Sequence, residues 1–459
     1  MISSYNEKII KFVSNIYQRN NICYRNFVFS SKDFCKNKVL ILKYGNRKNL
    51  EQYIDEAATK GIKGLVIDNK ANVKNISPKI PALKISGLNN KLNSFLDYLY
   101  SYPTREMLKI GVTGTNGKTS TCHFLAQFLS KIYPRKNIGI ITSEGNGIYP
   151  KLSSTIRTTP ENHLLYKEYS KMKQKNVKIL IVECSSQGLH QGRLNSHSFD
   201  ISILTNITRD HIDYHKNYEN YIRSKLLLLK MTTKYMFINQ SLNTLDIQNN
   251  NAKKIFYKHN LDIDYPKNPT IPEDLFIKLA NIYDQDRQKN INNIISNLKP
   301  IQGRYHFVKG KKGEIYLIDF AHTSSSFLDI CKYAKKLVTS PSKNMKLLII
   351  FGCGGDRDKE KRVTMANHAK KYADYIIITD DNPRSEDPIK ITNQISEILK
   401  KKSNYEVINK RRDAIKKSLD FARNDYLILL LGKGNESKIM YKNKEIYHND
   451  IKCVESLIK

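Results

Sequence analysis

The sequence predicts an α/β protein of three domains, two of them built on parallel sheets. Three observations carry this. The chain has 459 residues and 40% hydrophobic content, enough for two to four cores. Eight short apolar runs, LKIGVTG, NIGIITS, KILIVECSS, ISILTNITRD, IYLIDFAHT, LLIIFGCGGDRD, YIIITDDNPR and YLILLLGKGNE, all end in polar or charged residues. Amphipathic stretches separate them, and continuous apolar strands alternating with helices form parallel sheets covered on both faces. The expected domains are 1–104, 105–300 and 301–459. In such sheets ligands bind beyond the carboxyl ends of the strands, so a cleft between the two polar rims is the expected active site.

Composition removes several function classes. The seven cysteines include no Cys-x-x-Cys pair, which argues against a zinc knuckle or disulfide framework and fits a reducing compartment. The first twenty residues, MISSYNEKIIKFVSNIYQRN, hold no continuous apolar stretch of the kind a signal peptide needs. Apolar runs such as YLILLLG are too short to span a bilayer. A cytoplasmic protein without membrane insertion is expected. The net charge is +34, but the lysines are spread along the chain, whereas a nucleic-acid footprint is clustered. No RNA-binding aromatic motif accompanies them, so no nucleic-acid partner is expected.

Residues 1–104 form a small mixed segment. GVTGTNGKTS (111–120) then follows a strand and precedes a helix, the setting of a phosphate loop. Gly114, Thr115, Asn116, Gly117, Lys118, Thr119 and Ser120 are the expected ATP-binding stretch. The glycines admit phosphate to the backbone, the helix N-terminus attracts the anion, Lys118 reaches the β- and γ-phosphates, and Thr119 holds Mg²⁺. Gly111 sits one residue too early for the usual Walker spacing. Thr158 and Thr159 offer hydroxyls to a phosphate or sugar, and Ser185, Gln191 and Arg193 extend the same rim. Glu183, ending KILIVE, and His211, following ISILTN, are candidate metal ligands; His215 reads as structural. Lys225 precedes four leucines on a predicted helix, where burial favours the neutral amine. Arg357, Arg384 and Glu436 lie just past strand ends. Two guanidiniums and a carboxylate together suit a zwitterion.

Further motifs stand in order: RTTPE (157–161), ECSSQGLHQGRL (183–194), TNITRDHIDYH (205–215), SKLLLL (224–229), GRYHFV (303–308), IDFAHT (318–323), FGCGGDRDKEKR (351–362), DDNPR (380–384) and GKGNE (432–436). With TGTNGKTS they resemble the Mur ligases, ATP-dependent amide synthetases of peptidoglycan assembly. The branch adding the third peptide residue to UDP-N-acetylmuramoyl-L-alanyl-D-glutamate is the most similar. The resemblance implies a UDP-binding N-terminal domain, a central P-loop-type ATPase domain and a C-terminal Rossmann-like domain that binds the amino acid. It implies UDP-sugar contacts at Ser31, Asn46, Thr158, Thr159, Ser185, Gln191 and Arg193, although Ser30-Ser31-Lys32 stands where Asp-Ser-Arg is usual. It assigns Arg304 and Asp319 to ATP, and catalysis to Lys118, Glu183, His211 and Lys225. The metal set is Thr119, Glu183, His211 and Lys225, the last as a carbamate supporting a second Mg²⁺. The acceptor is read by Arg357, Asp381, Asn382, Pro383, Arg384, Gly432 and Glu436. The DNPR form is the one associated with meso-diaminopimelate, whose distal carboxylate Arg384 would grip; a lysine-adding enzyme usually lacks this arginine. A monomer is expected.

The chain departs from the family at His306, Phe320, Ser324 and Asn435 and is short between Lys230 and Pro300, where some central strands are expected to be missing. Three alternatives to the ligase of diaminopimelate follow. One is a related amide ligase, adding lysine or extending folate. The second is a non-catalytic ATP-binding homologue. The third, a nucleic-acid-binding ATPase, rests on charge alone.

Overall fold

In this computed structural model, residues 4–33, 35–43, 50–71, 73, 80–155, 157–195, 197–248, 251–259, 271–283, 290–340, 345–400 and 404–459 are described. The first domain holds a four-stranded parallel sheet of β1 (Phe27–Val28), β2 (Val39–Leu42), β3 (Gly64–Asp68) and β4 (Ala82–Ile85), in that spatial order. Helices Ser4–Tyr17, Leu50–Thr59 and Leu88–Leu99 pack on it.

The central sheet has eight strands: β5 (Leu108–Thr113), β6 (Asn137–Thr142), β7 (Gly145–Ile148), β8 (Lys151–Ser153), β9 (Val177–Glu183), β10 (Phe199–Leu204), β11 (Thr232–Asn239) and β12 (Lys253–Tyr257). Their order is β12-β11-β10-β5-β9-β6-β7-β8, with every pairing parallel except β6–β7 and β7–β8, so that β7 alone runs against the others. Two of these strands, β11 and β12, fall inside the stretch expected to have lost strands. Both faces are covered, which explains the unbroken apolar runs. Helices Lys118–Ile132 and Glu273–Tyr283 cover one face. Helices Asn162–Gln174 and Tyr218–Lys230 cover the other and share its core with the first domain through Phe95, Tyr166 and Leu228.

The third domain carries β13 (His306–Lys309), β14 (Ile315–Asp319), β15 (Lys346–Phe351), β16 (Tyr375–Ile378), β17 (Tyr405–Val407) and β18 (Tyr426–Leu431). The order is β13-β14-β18-β15-β16-β17, with only β13 antiparallel. A hairpin of β19 (Lys438–Met440) and β20 (Glu445–Tyr447) follows. All eight predicted runs are strands, and the three-domain α/β architecture is the one observed. Among the described residues no helix is long and apolar enough to cross a membrane.

A buried ion pair holds the third domain's strand ends together. Arg411 and Asp450 are both fully buried and bond through Nε (2.8 Å) and Nη2 (2.7 Å). Arg411 Nη2 also donates to the Leu431 carbonyl at 2.8 Å, at the end of β18. Burial pushes the Asp450 carboxyl upward, but the Arg411 guanidinium and the His448 bond outweigh it and hold the group at about 2. A depressed carboxyl pKa contributes stability above its ordinary value of 3.8 and loses that contribution as pH falls towards the folded value. Urea unfolding followed by circular dichroism is therefore expected to show this domain weakening as pH drops from about 4 towards about 2. Asp450→Asn is expected to cost about 3–5 kcal/mol at neutral pH, because it strands a buried guanidinium.

Candidate active site

The loop after β5 is shaped by contacts with the end of β10. Gly114 has φ 151°, and an added Cβ would lie 1.9 Å from Thr205 Oγ1. Thr115 N donates to Asn206 O and Asn116 N to Asn206 Oδ1, both at 2.9 Å. Gly117, at φ 79°, starts the helix Lys118–Ile132. Lys118 Nζ folds back onto the carbonyls of Gly114 (3.1 Å) and Thr115 (2.7 Å). Burial lowers its pKa against the pull of Glu183 and Asp210. The loop thus presents backbone donors and one cation to an anion.

Glu183, 2% exposed, ends β9 beneath this loop. Its carboxylate accepts from Thr119 Oγ1 (3.0 and 3.1 Å) and from Ser143 N (3.0 Å). His211 sits in a left-handed turn at φ 53° with Nε2 3.4 Å from Asp210 Oδ2. Burial lowers its pKa, Asp210 opposes this, and Lys118 and Lys225 add to the lowering, leaving a neutral ring able to ligate. Lys225 is 1% exposed. Its amine donates to the Gly114 carbonyl and lies 4.4 Å from the Tyr221 ring centre. Burial first, then Lys118, holds it well below the ordinary lysine value. His215 bonds Ser186 Oγ (3.0 Å) and Ser224 Oγ (3.3 Å), joining two helices. Among the described residues no cluster of three or more His, Cys, Asp or Glu side chains is placed to hold a metal. One buried carboxylate, the hydroxyls of Thr119 and Ser143 and an imidazole, beside a phosphate cradle, fit Mg²⁺ shared with phosphate better than an all-protein cage.

A cleft of about 880 Å³ opens above this cradle. It is lined by 115–120, Glu183, His211 and Lys225, by Thr158, Thr159, Ser185 and Arg193, and by Arg304 and Asp319 from the third domain. Several of these groups are already engaged inside the protein. Thr159 Oγ1 donates to the Glu183 carbonyl (2.7 Å) and accepts from Ser185 N (3.0 Å). Arg193 Nε donates to Gln191 Oε1 (3.1 Å), and the guanidinium also meets the Thr159 carbonyl. Gln191 itself donates to Tyr214 OH at 2.9 Å. Ser31 is fully buried, bonded to Glu56 Oε2 at 2.8 Å, and does not line the cleft. Asn46 lies outside the described residues. Arg304 covers the Phe320 ring at 4.3 Å. Asp319 accepts from Tyr305 N (2.8 Å), and burial lifts its carboxyl to about 6 against the pull of Arg304.

A second cavity of about 430 Å³ adjoins the first. Its wall includes Arg357, Asp381, Asn382, Arg384, Gly432 and Glu436 but not Pro383. His211, Phe320, His322, Arg357 and Glu436 line both spaces. Arg384, at φ 54°, is aimed by its backbone bond to Met440 O (2.9 Å) and by Nη1 to Gly355 O (2.7 Å). A side chain on Gly354 would meet Arg384 Nη1 at 2.8 Å. The domains meet here: Asn116 Nδ2 donates to Ser325 Oγ (2.8 Å), Thr323 Oγ1 to Asn116 Oδ1 (3.1 Å), and Arg357 lies 3.6 Å from Asp213.

Sequence reasoning passed over several of these groups. Asp210 faces His211, His322 and Lys361, though it stands inside the quoted TNITRDH. Lys433, inside GKGNE, is completely buried against Glu436. Ser143 follows an apolar run without any motif of its own. Lys43, at the end of β2, reaches Asn162 across the domain boundary, and burial brings its amine down to about 8.

Residues 112–302 match the description "Mur ligase middle domain" and 303–434 "Mur ligase, glutamate ligase domain". A Wigglesworthia glossinidia brevipalpis protein named UDP-N-acetylmuramoyl-L-alanyl-D-glutamate–2,6-diaminopimelate ligase is 30% identical over 94% of each chain. A solved structure of a ligase of that name superposes with TM-score 0.61 at 22% identity, covering 97% of this chain and 98% of that one. The MurF ligase of Thermotoga maritima in complex with ADP superposes with TM-score 0.56 at 14% identity over 94% and 96%.

Gly114→Ala is expected to keep the circular dichroism of the native protein and to weaken ATP binding, measured by titration calorimetry, by about tenfold or more. The added Cβ would force the loop away from Thr205, and such backbone strain costs about 1–3 kcal/mol.

Proposed function

The chain belongs to the Mur ligase family, and from that premise we propose that it joins meso-diaminopimelate to the D-glutamyl carboxylate of UDP-N-acetylmuramoyl-L-alanyl-D-glutamate, consuming ATP. The observation that carries this is the shared wall between a phosphate-loop cleft and a cavity bearing two arginines. The γ-carboxylate of D-glutamate attacks the γ-phosphate, ADP leaves, and an acyl phosphate forms. The acceptor amine then attacks the acyl carbon, the C–O bond to phosphate breaks, and the amide remains. Lys118 and the backbone donors of 117–120 offset charge on the transferring phosphoryl group. Mg²⁺, when bound, would supply Lewis-acid charge neutralisation there, and Thr119, Glu183 and His211 would hold it. Otherwise the chain works by positioning.

Lys225 has a further part. Its neutral amine adds to CO₂, the N–C bond forms and the amine proton leaves to solvent, turning a would-be cation into a carboxylate-like ligand. Arg304 and Asp319 hold the nucleotide, and Thr158, Thr159, Ser185, Gln191 and Arg193 shape the UDP-sugar rim. Because Thr159 and Arg193 are bonded within the protein, they act by fixing that rim's form as well as by contact. Asn46 belongs to the uridine end, and Ser31, buried and bonded to Glu56, acts there by holding the fold rather than by contact.

Arg384 selects the acceptor. Its Nη1 is occupied by Gly355 O and Asn382 O, and its other N–H donors have no protein partner among the described residues. They suit a carboxylate at the far end of the amino acid. Lysine offers none, and an unpaired arginine in a binding site gives strong discrimination.

Phosphate release with the UDP-dipeptide, ATP and Mg²⁺ is expected with meso-diaminopimelate and not with L-lysine, and Arg384→Ala is expected to remove it. Release with lysine would transfer the reading to a lysine-adding ligase. Silence with both acceptors in folded, ATP-binding protein would favour a non-catalytic homologue. Labelled bicarbonate is expected to give a carbamate NMR signal that Lys225→Met abolishes, and a missing signal in active protein would remove the carbamate.

A further inference from the structure

Lys433 is a buried charge to which the proposed reaction gives no task. Lys433, just past β18, has a fully buried side chain. Its ammonium donates to Asn382 Oδ1 (3.0 Å), to Glu436 Oε2 and to the Lys438 carbonyl, which uses all three protons. Asn382 is held in turn. Its Oδ1 also accepts from Met440 N at 2.9 Å, and its Nδ2 donates to Glu436 Oε2 at 3.0 Å. The carbonyl of Met440 receives the backbone N–H of Arg384 at 2.9 Å. One ammonium thus ties three pieces of the second cavity together: the carboxylate of Glu436, the turn that displays Arg384, and strand β19.

The asymmetry at Glu436 shows what the arrangement does. Both donors fall on Oε2, and Oε1 has no protein partner among the described residues although Glu436 lines both cavities. A carboxylate on a surface loop samples several rotamers. One clamped through a single oxygen by a buried cation and an amide presents its other oxygen in a fixed direction, and charge-assisted bonds of this kind are the strong ones. The cation also offsets the carboxylate's own charge before any ligand arrives.

We propose that Lys433 is a positioning residue for acceptor recognition, holding Glu436 with Oε1 turned to the acceptor's ammonium and locking it in register with Arg384. This rests on the reading of the second cavity as the amino-acid site. A lysine that merely braced the β19–β20 hairpin would affect folding and leave acceptor affinity untouched in whatever protein folded.

The test is steady-state kinetics on the full chain with Lys433→Met, varying each substrate in turn. The acceptor KM is expected to rise about tenfold or more, the cost of leaving hydrogen-bonded charged partners unmatched, while the KM values for ATP and the UDP-dipeptide stay within about twofold. Hydroxylamine in place of the amino acid supplies the second readout. It needs neither Glu436 nor Arg384, so hydroxamate formation is expected to survive in Lys433→Met. Lys433→Met combined with Glu436→Gln is expected to be no worse than Glu436→Gln alone, since the two act as one unit. An unchanged acceptor KM, equal losses with hydroxylamine and with the amino acid, or additive losses in the double variant would each overturn the proposal. If Lys433→Met does not fold, Lys433→Gln keeps a donor in place and is expected to show a rise of about threefold; failure of both to fold would make Lys433 a folding residue and overturn the proposal too. Absence of hydroxamate with the native protein would instead count against the ligase reading itself.

Discussion

The residue on which the rest of the site depends is Glu183. It ends the strand beside β5, and each of its polar groups holds a different segment. The carboxylate takes Thr119 from the phosphate-loop helix and Ser143 from the end of β6. The carbonyl takes Thr159 from the RTTPE loop, and Thr159 accepts from Ser185 in the next turn. Nucleotide cradle and sugar rim are thereby set in one frame. A buried carboxylate is costly unless it is hydrogen-bonded, so the loops around Glu183 are constrained to supply donors. The same need for positive partners suits a cation arriving with phosphate.

The second frame is electrostatic and lies across the domain boundary. Lys118 and Lys225 share one pocket, and Lys118 adds to burial in lowering the affinity of the Lys225 amine for a proton. His211 and His322 are likewise held below the ordinary histidine range, His322 at about 4, by burial above all. A cleft of cations and neutral imidazoles facing Glu183, Asp210 and Asp319 is matched to an anionic nucleotide. The domain contacts that close it include Asn116 with Ser325 and Thr323, Thr208 with Ser325, Arg209 with Glu360 and Arg357 with Asp213, all of them polar. Contacts of that kind are compatible with relative domain motion.

Much of the fold could be read from the chain because parallel strands buried on both faces leave an unmistakable apolar run, and each of the eight runs is a strand. Several of the elements missed have weaker local signals, although β2 and β3, wholly buried runs in the segment read only as small and mixed, were missed as well. β7 and β8 are short and joined by antiparallel pairings, β12 is half exposed, and β19 and β20 form an isolated hairpin. β11, TTKYMFIN, begins with polar residues because only its second half enters the core. Between 230 and 300 the motifs fade, yet β11 and β12 stand there, because a strand needs only buried apolar positions and not the motif residues.

At the site, the chain alone determined which residue types stand at strand ends, since motif and strand are contiguous there. That is how the phosphate loop, Glu183, His211, Lys225 and the DNPR turn could be named. The tertiary structure decided which of their atoms are free. Thr159, Arg193 and Ser31 turn inward to protein partners, Arg384 keeps open donors, and Glu436 offers one oxygen because the other is held by Lys433 and Asn382. Hydrogen-bond partners more than twenty residues away in sequence set each of these except the Lys433–Glu436 contact. Such pairings depend on how strands order in the sheet and how domains meet, and no local pattern of residues encodes them.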